Sequence, residues 1–201
     1  MSERNGWQTT LADGTGVILR RISPEDREAL AEAYRRLSPE ARYYRFWSRV
    51  RELNGRLLDQ LAAPPSEGHV AWAAFPKQPS DEPGLGAGSF WRLGDDPDLA
   101  EMSFTVADEW RHRGLGSLLL AALWHDATAR GVRAFVGHAL ADNFAATDWF
   151  SALGAVGSVT AGQIRWVLPL DEALLPGTSA ARRLRQALVD ARTAGVDGAC
   201  S

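Results

Sequence analysis

Cysteine is almost absent from this 201-residue chain: Cys200 stands alone, in the tail. One thiol forms no intramolecular disulfide and no cysteine-based zinc site, and it suits a reducing compartment. Its place in the tail also argues against a covalent route through this thiol. Long apolar runs are missing too. No stretch reaches the roughly 18 consecutive apolar residues of a membrane span. The opening MSERNGWQTT has no apolar segment of a secretory signal. The expectation is a cytoplasmic protein with no membrane association. Positive charge is not in excess. A net charge of −3 supplies no global basic field, so nucleic acid is not an expected partner. Histidines are few, and His69, His112, His125 and His138 show neither H-x-x-x-H nor H-x-x-E spacing. No metal site is expected. His138 reads as a structural histidine at a strand end, and His112 lies where it can touch an anion.

The length fits one domain with a substantial core. We read residues 1–175 as that domain and 176–201 as a C-terminal helix and tail. Most of the eight tryptophans should be core, with a few left to line a pocket. Gly16–Arg21 reads as the first strand. Ser23-Pro24-Glu25-Asp26 starts a helix, with a Ser cap, Pro at the first helical position and acids in the first turn. Ser38-Pro39-Glu40 starts a second by the same chemistry, and Asn54–Ala62 is a third candidate. His69–Phe75 and Gly86–Arg92 read as strands joined by the polar, Pro-rich and mobile segment PKQPSDEPG. Ala100–Val106 is a strand, 116–130 a helix with Gly131 at its C-terminal end, and Ala134–Ala139 a strand. Asn143–Leu153 is a helix with Asp142 near its N-cap. Val156–Thr160 and Ile164–Pro169 form a hairpin around Ala161-Gly162. Ser179–Ala194 is a last helix. The early strands should be antiparallel, while the strand–helix–strand unit 100–139 makes its two strands parallel and right-handed. The fold class is therefore α/β (α+β) with a mixed, mostly antiparallel sheet flanked by helices.

The chemistry concentrates between strand 100–106 and the helix that follows. There the chain reads Arg111-His112-Arg113-Gly114-Leu115-Gly116-Ser117. Glycines allow positive φ and close backbone approach. The free N–H groups of a first helical turn, with the helix dipole behind them, suit an anion such as a pyrophosphate. The loop is not a P-loop, because no Gly-Lys-Ser/Thr occurs. It is not a dinucleotide fingerprint, because Leu119 stands at the third glycine position. It fits R/Q-x-x-G-x-G/A through Arg111, Gly114 and Gly116. This resembles motif A of the GNAT superfamily of N-acetyltransferases. The segment Asn143–Ala155 resembles the family's second signature, N-x-x-A-x-x-x-Y-x-x-x-G-F, through Asn143, Ala146 and Gly154. It departs at two positions, Phe150 for Tyr and Ala155 for Phe. The opening DGTGVILRRISPEDREALAEAYRRLSPEARYYRF is similar to the acetyltransferase domains of bacterial Pat-type protein lysine acetyltransferases. The resemblance covers roughly residues 10 to 170.

The resemblance implies a GNAT fold whose crossover strands splay apart, with the pantetheine arm of acetyl-CoA in the opening. It implies that the backbone of Phe104, Thr105 and Val106 and the side chain of Asn143 meet the pantetheine. It also places the loop Arg111, His112, Arg113, Gly114, Leu115, Gly116 and Ser117 around the pyrophosphate. Arg111 and Arg113 serve equally well as solvated loop arginines. Acetyl transfer to a primary amine, protein lysine or small molecule, needs a base, because an ammonium of pKa about 10.4 is charged at neutral pH. Alternation puts Glu101, Ser103 and Thr105 on one strand face and Met102, Phe104 and Val106 on the other. Glu101 is the candidate base; its alternative is a surface or ion-paired carboxylate. Phe150, near the sulfur by the same resemblance, has no proton to donate to the leaving thiolate. Arginines 35, 36, 42, 45, 49 and 51 are a solvated face or, beside the acceptor cleft, a preference for an acidic substrate or partner. The reading admits a homodimer and leaves open a small-molecule acceptor or an acyl-CoA-binding module of weak activity.

Overall fold

The computed structural model describes residues 6–46, 52–78 and 82–195. Arg49, Arg51, Cys200 and the middle of the 76–84 connection lie outside the described residues. Among these residues eight strands form one sheet: β1 Trp7–Thr10, β2 Gly16–Arg21, β3 His69–Pro76, β4 Gly86–Leu93, β5 Asp96–Val106, β6 Ala134–Leu140, β7 Val156–Thr160 and β8 Gln163–Pro169. Their order is β1-β2-β3-β4-β5-β6-β8-β7. Every neighbouring pair is antiparallel except β5 with β6, which is parallel. The helices are α1 Arg27–Arg36, α2 Pro39–Phe46, α3 Gly55–Leu61, α4 Leu115–Ala129, α5 Phe144–Ala152 and α6 Ser179–Thr193.

Local signals place most of these elements. The Ala41 N–H donates to Ser38 Oγ at 3.1 Å, capping α2. Asn54 Oδ1 accepts from Leu57 at 2.8 Å, capping α3. Ser23-Pro24 starts a single 3-10 turn, Pro24–Asp26, and α1 proper begins at Arg27. Gly131, at φ +80°, ends α4. Its N–H donates to Thr128 O and that of Val132 to Ala127 O, the paired bonds of a Schellman motif. Gly154 ends α5 with the same two bonds, to Ser151 and Phe150. One expectation needs correction. The first strand is β1, not Gly16–Arg21. Only Trp7 of its four residues is buried, so no alternating apolar pattern marks it, and pairing with β2 makes it a strand. Asn143, next to Asp142, is the N-cap of α5: its Oδ1 accepts from the Ala146 N–H at 3.2 Å.

Nearly every side chain of α4 is buried, because the helix lies between the sheet and α6. Gly88 on β4 makes this close approach possible. A Cβ there would stand 2.7 Å from the Phe104 ring and 3.0 Å from Leu123. A buried carboxylate sits in this layer. Asp126 of α4 is fully buried and accepts from Arg21 at 2.7 and 3.1 Å, Arg130 at 2.7 Å and Trp72 Nε1 at 2.7 Å. It ties β2, β3 and α4 together.

His69 is 2% exposed and stacks on Trp91 at 3.8 Å. Neither ring nitrogen has a hydrogen bond of sound geometry. Burial lowers its pKa from 6.5 to about 4, with the Pro64 carbonyl pulling weakly the other way. The native state therefore disfavours the proton that the unfolded chain accepts. The His69 contribution to stability is complete above pH 6.5 and is lost as pH falls towards 4, about 3 kcal/mol in all. Denaturant unfolding at pH 7 and at pH 4.5 should register this loss. His69→Phe should reduce the pH dependence, and an unchanged dependence in that variant would assign it to other groups.

Candidate active site

β5 and β6 pair only over Leu99–Glu101 and Ala134–Val136. Beyond Glu101 the two strands part, and the edge of Met102–Val106 that faces β6 forms no ladder with it. The opening is a cleft of about 420 Å³. Its walls are Met102–Phe104 of β5, Gly137–Ala139 of β6, Tyr44–Phe46 of α2, and Asn143, Ala146, Trp149 and Phe150 of α5. Glu101 stands at its apex.

The alternation along β5 holds. Ala100 and Met102 are buried, and Phe104 and Val106 pack on the same core. Glu101 faces away, 54% exposed at its side chain, with His138 Nδ1 3.5 Å from Oε1. His138, expected to be only structural, is a neighbour of the candidate base. No signal in the sequence links the two, since only the parallel register brings β6 beside β5.

After β5 the chain makes one 3-10 turn, Asp108–Trp110, and enters α4 through Gly114 at φ +93°. A side chain there would be strained in that backbone conformation. The N–H groups of Gly114, Leu115 and Gly116 make no hydrogen bond within the described residues. Three adjacent free donors at the head of a fifteen-residue helix form an anion cradle. A Cβ at Gly116 would meet only the Trp149 ring, at 3.6 Å. The Leu115 side chain is core, and Ser117 is buried with its N–H donated to Gly114 O. Arg111 pairs with Asp108 at 2.8 Å. Arg113 pairs with Asp13 at 3.2 Å and lies over the Trp110 ring. Half-exposed pairs like these are weak, so an arriving phosphate can compete for either guanidinium. His112 is exposed, at φ +61°.

Asn143 caps α5, as one of its readings has it, and it also lines the cleft. Phe150 is 7% exposed and stacks on Trp166. Its Cζ comes within 3.6 Å of where a Cβ of Gly137 would sit. The basic segment divides in two. Arg35 and Arg36 pair with Glu32 in solvent, a solvated face. Arg45 reaches the cleft and donates from Nη2 to Ser103 Oγ at 2.7 Å. Sequence reasoning did not single Arg45 out from its neighbours. Its position at the cleft end of α2 distinguishes it. Among the described residues, no three His, Cys, Asp or Glu side chains could together hold a metal, and no helix is long and apolar enough to cross a membrane.

Residues 17–156 match the family described as the acetyltransferase (GNAT) domain. The chain is similar to an acetyltransferase of Pseudomonas aeruginosa, 30% identical over 77% of this chain and 83% of that one. It is also similar to the acetyltransferase Pat of Mycolicibacterium smegmatis, 34% identical over 71% of this chain. That match covers 42% of Pat, so the chain spans less than half of that relative. In three dimensions it resembles the GNAT domain of Streptomyces lividans PAT, with a TM-score of 0.75 and 24% identity, over 84% of this chain and 99% of that domain. It also resembles a Salmonella typhimurium acetyltransferase structure containing acetyl-CoA, with a TM-score of 0.58 and 20% identity, over 78% and 95% of the two chains.

Proposed function

Because the chain belongs to the GNAT acetyltransferase family, we propose that it transfers an acetyl group from acetyl-CoA directly to a primary amine, a protein lysine or a small molecule, with Glu101 as general base. The observation that carries this reading is the parting of β5 and β6 immediately after Glu101, with three free N–H donors at the head of α4. The residues fit acetyl-CoA. The cradle suits its pyrophosphate, and the unpaired edge of Phe104–Val106 offers backbone groups to its pantetheine amides. Asn143, on the wall of the cleft, would hold that arm.

Acetyl-CoA supplies the thioester carbonyl that the amine attacks. Glu101 takes the ammonium proton, and its exposure gives that proton an outlet to water. His138, 3.5 Å away, is a second place for it. Phe150 excludes water near the leaving group and donates nothing. Mixing the protein with acetyl-CoA and a panel of lysine peptides and small amines, with free thiol as readout, tests the reading. Amine-dependent thiol release is expected. Tight CoA binding without it would reduce the protein to a binding module.

Two variants probe the parts. Gly116→Asp places a carboxylate beside the free donors without crowding the fold, and CoA affinity should fall at least tenfold by calorimetry. Unchanged affinity in the folded variant would remove this loop from the cofactor site. Phe150→Tyr puts a hydroxyl beside Gly137. We expect kcat to change less than tenfold, since an acidic CoA thiol leaves without a proton donor. A larger rise, worth at least about 1.4 kcal/mol of barrier, would make leaving-group protonation rate-limiting.

A further inference from the structure

Arg45 stands in the wall between two cavities. One is the cleft already described. The other lies between the sheet and α1–α3, with a volume of about 100 Å³. Leu30, Tyr34, Phe46 and Phe75 line its sides, and Ala71 and Ala73 of β3 form its floor. The opposite face of β3 carries Val70 and Trp72 in the main core, so the small residues fall on the cavity side. Arg45 and Phe46 border both spaces.

The guanidinium of Arg45 donates to Ser103 Oγ and lies over the Phe46 ring at 4.6 Å. Ser103 Oγ is itself 3.2 Å from Ser89 Oγ. No carboxylate lies within ion-pair distance of Arg45 among the described residues. Burial lowers its pKa to about 10, and the nearby charge of Glu101 only partly opposes this. Removing a guanidinium from water is costly unless an anion compensates. The planar fork has five N–H donors and suits a carboxylate. Ser103, which holds Arg45, lies two residues from Glu101 on the same face of β5, about 7 Å along the strand.

We propose that the acceptor is an apolar α-amino acid, with its amine at Glu101, its carboxylate on Arg45 and its side chain in the cavity beneath α1–α3. The proposal rests on the acetyltransferase reading and deepens it. The amine and carboxylate of one α-amino acid flank a single carbon, so one small molecule spans the gap between Glu101 and Arg45. The side chain on that carbon then points at the apolar space. An engineered apolar cavity of about 150 Å³ admits benzene, so about 100 Å³ suits an aliphatic side chain such as that of leucine. A lysine ε-amine has no adjacent carboxylate and would leave Arg45 unpaired.

Thiol release should be measured with leucine, leucine amide and a lysine-containing peptide, on the wild-type protein and on Arg45→Gln. With the wild type, leucine should exceed leucine amide at least tenfold in kcat/KM. In Arg45→Gln, leucine should lose at least tenfold, mainly through KM, and its advantage over leucine amide should disappear. Equal turnover of leucine and its amide by the wild type would overturn the proposal even if the variant fails to fold. Equal losses for both in the variant would also overturn it. Turnover of the lysine peptide without turnover of leucine would overturn it and leave the acetyltransferase reading intact. Thiol release with none of the amines would sink both.

Discussion

Glu101→Gln is expected to keep acetyl-CoA affinity and lose on the order of 10²–10⁴-fold in turnover at neutral pH, the usual contribution of a general base. The substitution preserves size and leaves the strand register intact, because the side chain faces the cleft and not the core. It also leaves the cradle at Gly114–Gly116 untouched, so binding and chemistry should separate cleanly. Only the capacity to accept a proton is removed. The loss should shrink as pH rises towards the pKa of the amine, about 10.4 for a lysine, because free amine then reaches the site without help. Steady-state kinetics across pH, beside calorimetry with CoA, reads both quantities. Wild-type turnover in the variant would make Glu101 a surface carboxylate that happens to adjoin His138. A loss of CoA affinity in parallel would mean that the side chain supports the cleft and not the proton transfer.

The second large effect concerns stability. Asp126→Ala should cost about 3–5 kcal/mol, the usual penalty for breaking a buried ion pair by removing one partner. The carboxylate is fully buried. It pairs with Arg130, 5% exposed at its side chain, and with Arg21, 25% exposed. It also receives the Trp72 indole N–H. Without it, Arg130 keeps its charge with only carbonyls as partners, those of Asp126 and Ser66. Asp126→Asn retains an acceptor for Trp72 but not the charge, so it should fall between wild type and alanine. Urea unfolding of the three proteins decides the matter. A loss below about 1 kcal/mol for alanine would mean that water or rearranged side chains replace the carboxylate easily. The network anchors α4 to β2 and β3, and α4 carries the cradle at its other end. A folded but loosened Asp126→Ala should therefore also bind CoA more weakly than wild type.

What the sequence determined by itself is what neighbours in the chain determine. Caps and turns are short-range devices, so Ser38, Asn54, Gly131 and the Ala161-Gly162 turn mark their elements before any packing is known. The bounds of β2 and β7 were readable because chemistry changes sharply at their ends. Gly114 was legible because this strand-to-helix turn takes a positive φ there, and Gly116 through the spacing of the R/Q-x-x-G-x-G/A pattern. The face of Glu101 followed from the two-residue period of a strand. Tertiary structure decided everything that depends on which strand lies beside which. β1 has too little apolar pattern to declare itself and exists through its ladder to β2. The cleft opens after Glu101 because the β5–β6 ladder stops there, a property of two strands 35 residues apart and of neither alone. His138 reaches Glu101, and Arg45 reaches Ser103, only across that assembled sheet. The Arg21–Asp126 bond spans 105 residues. Such contacts leave no periodic mark on the sequence, because each partner satisfies only its local element until the sheet closes around it.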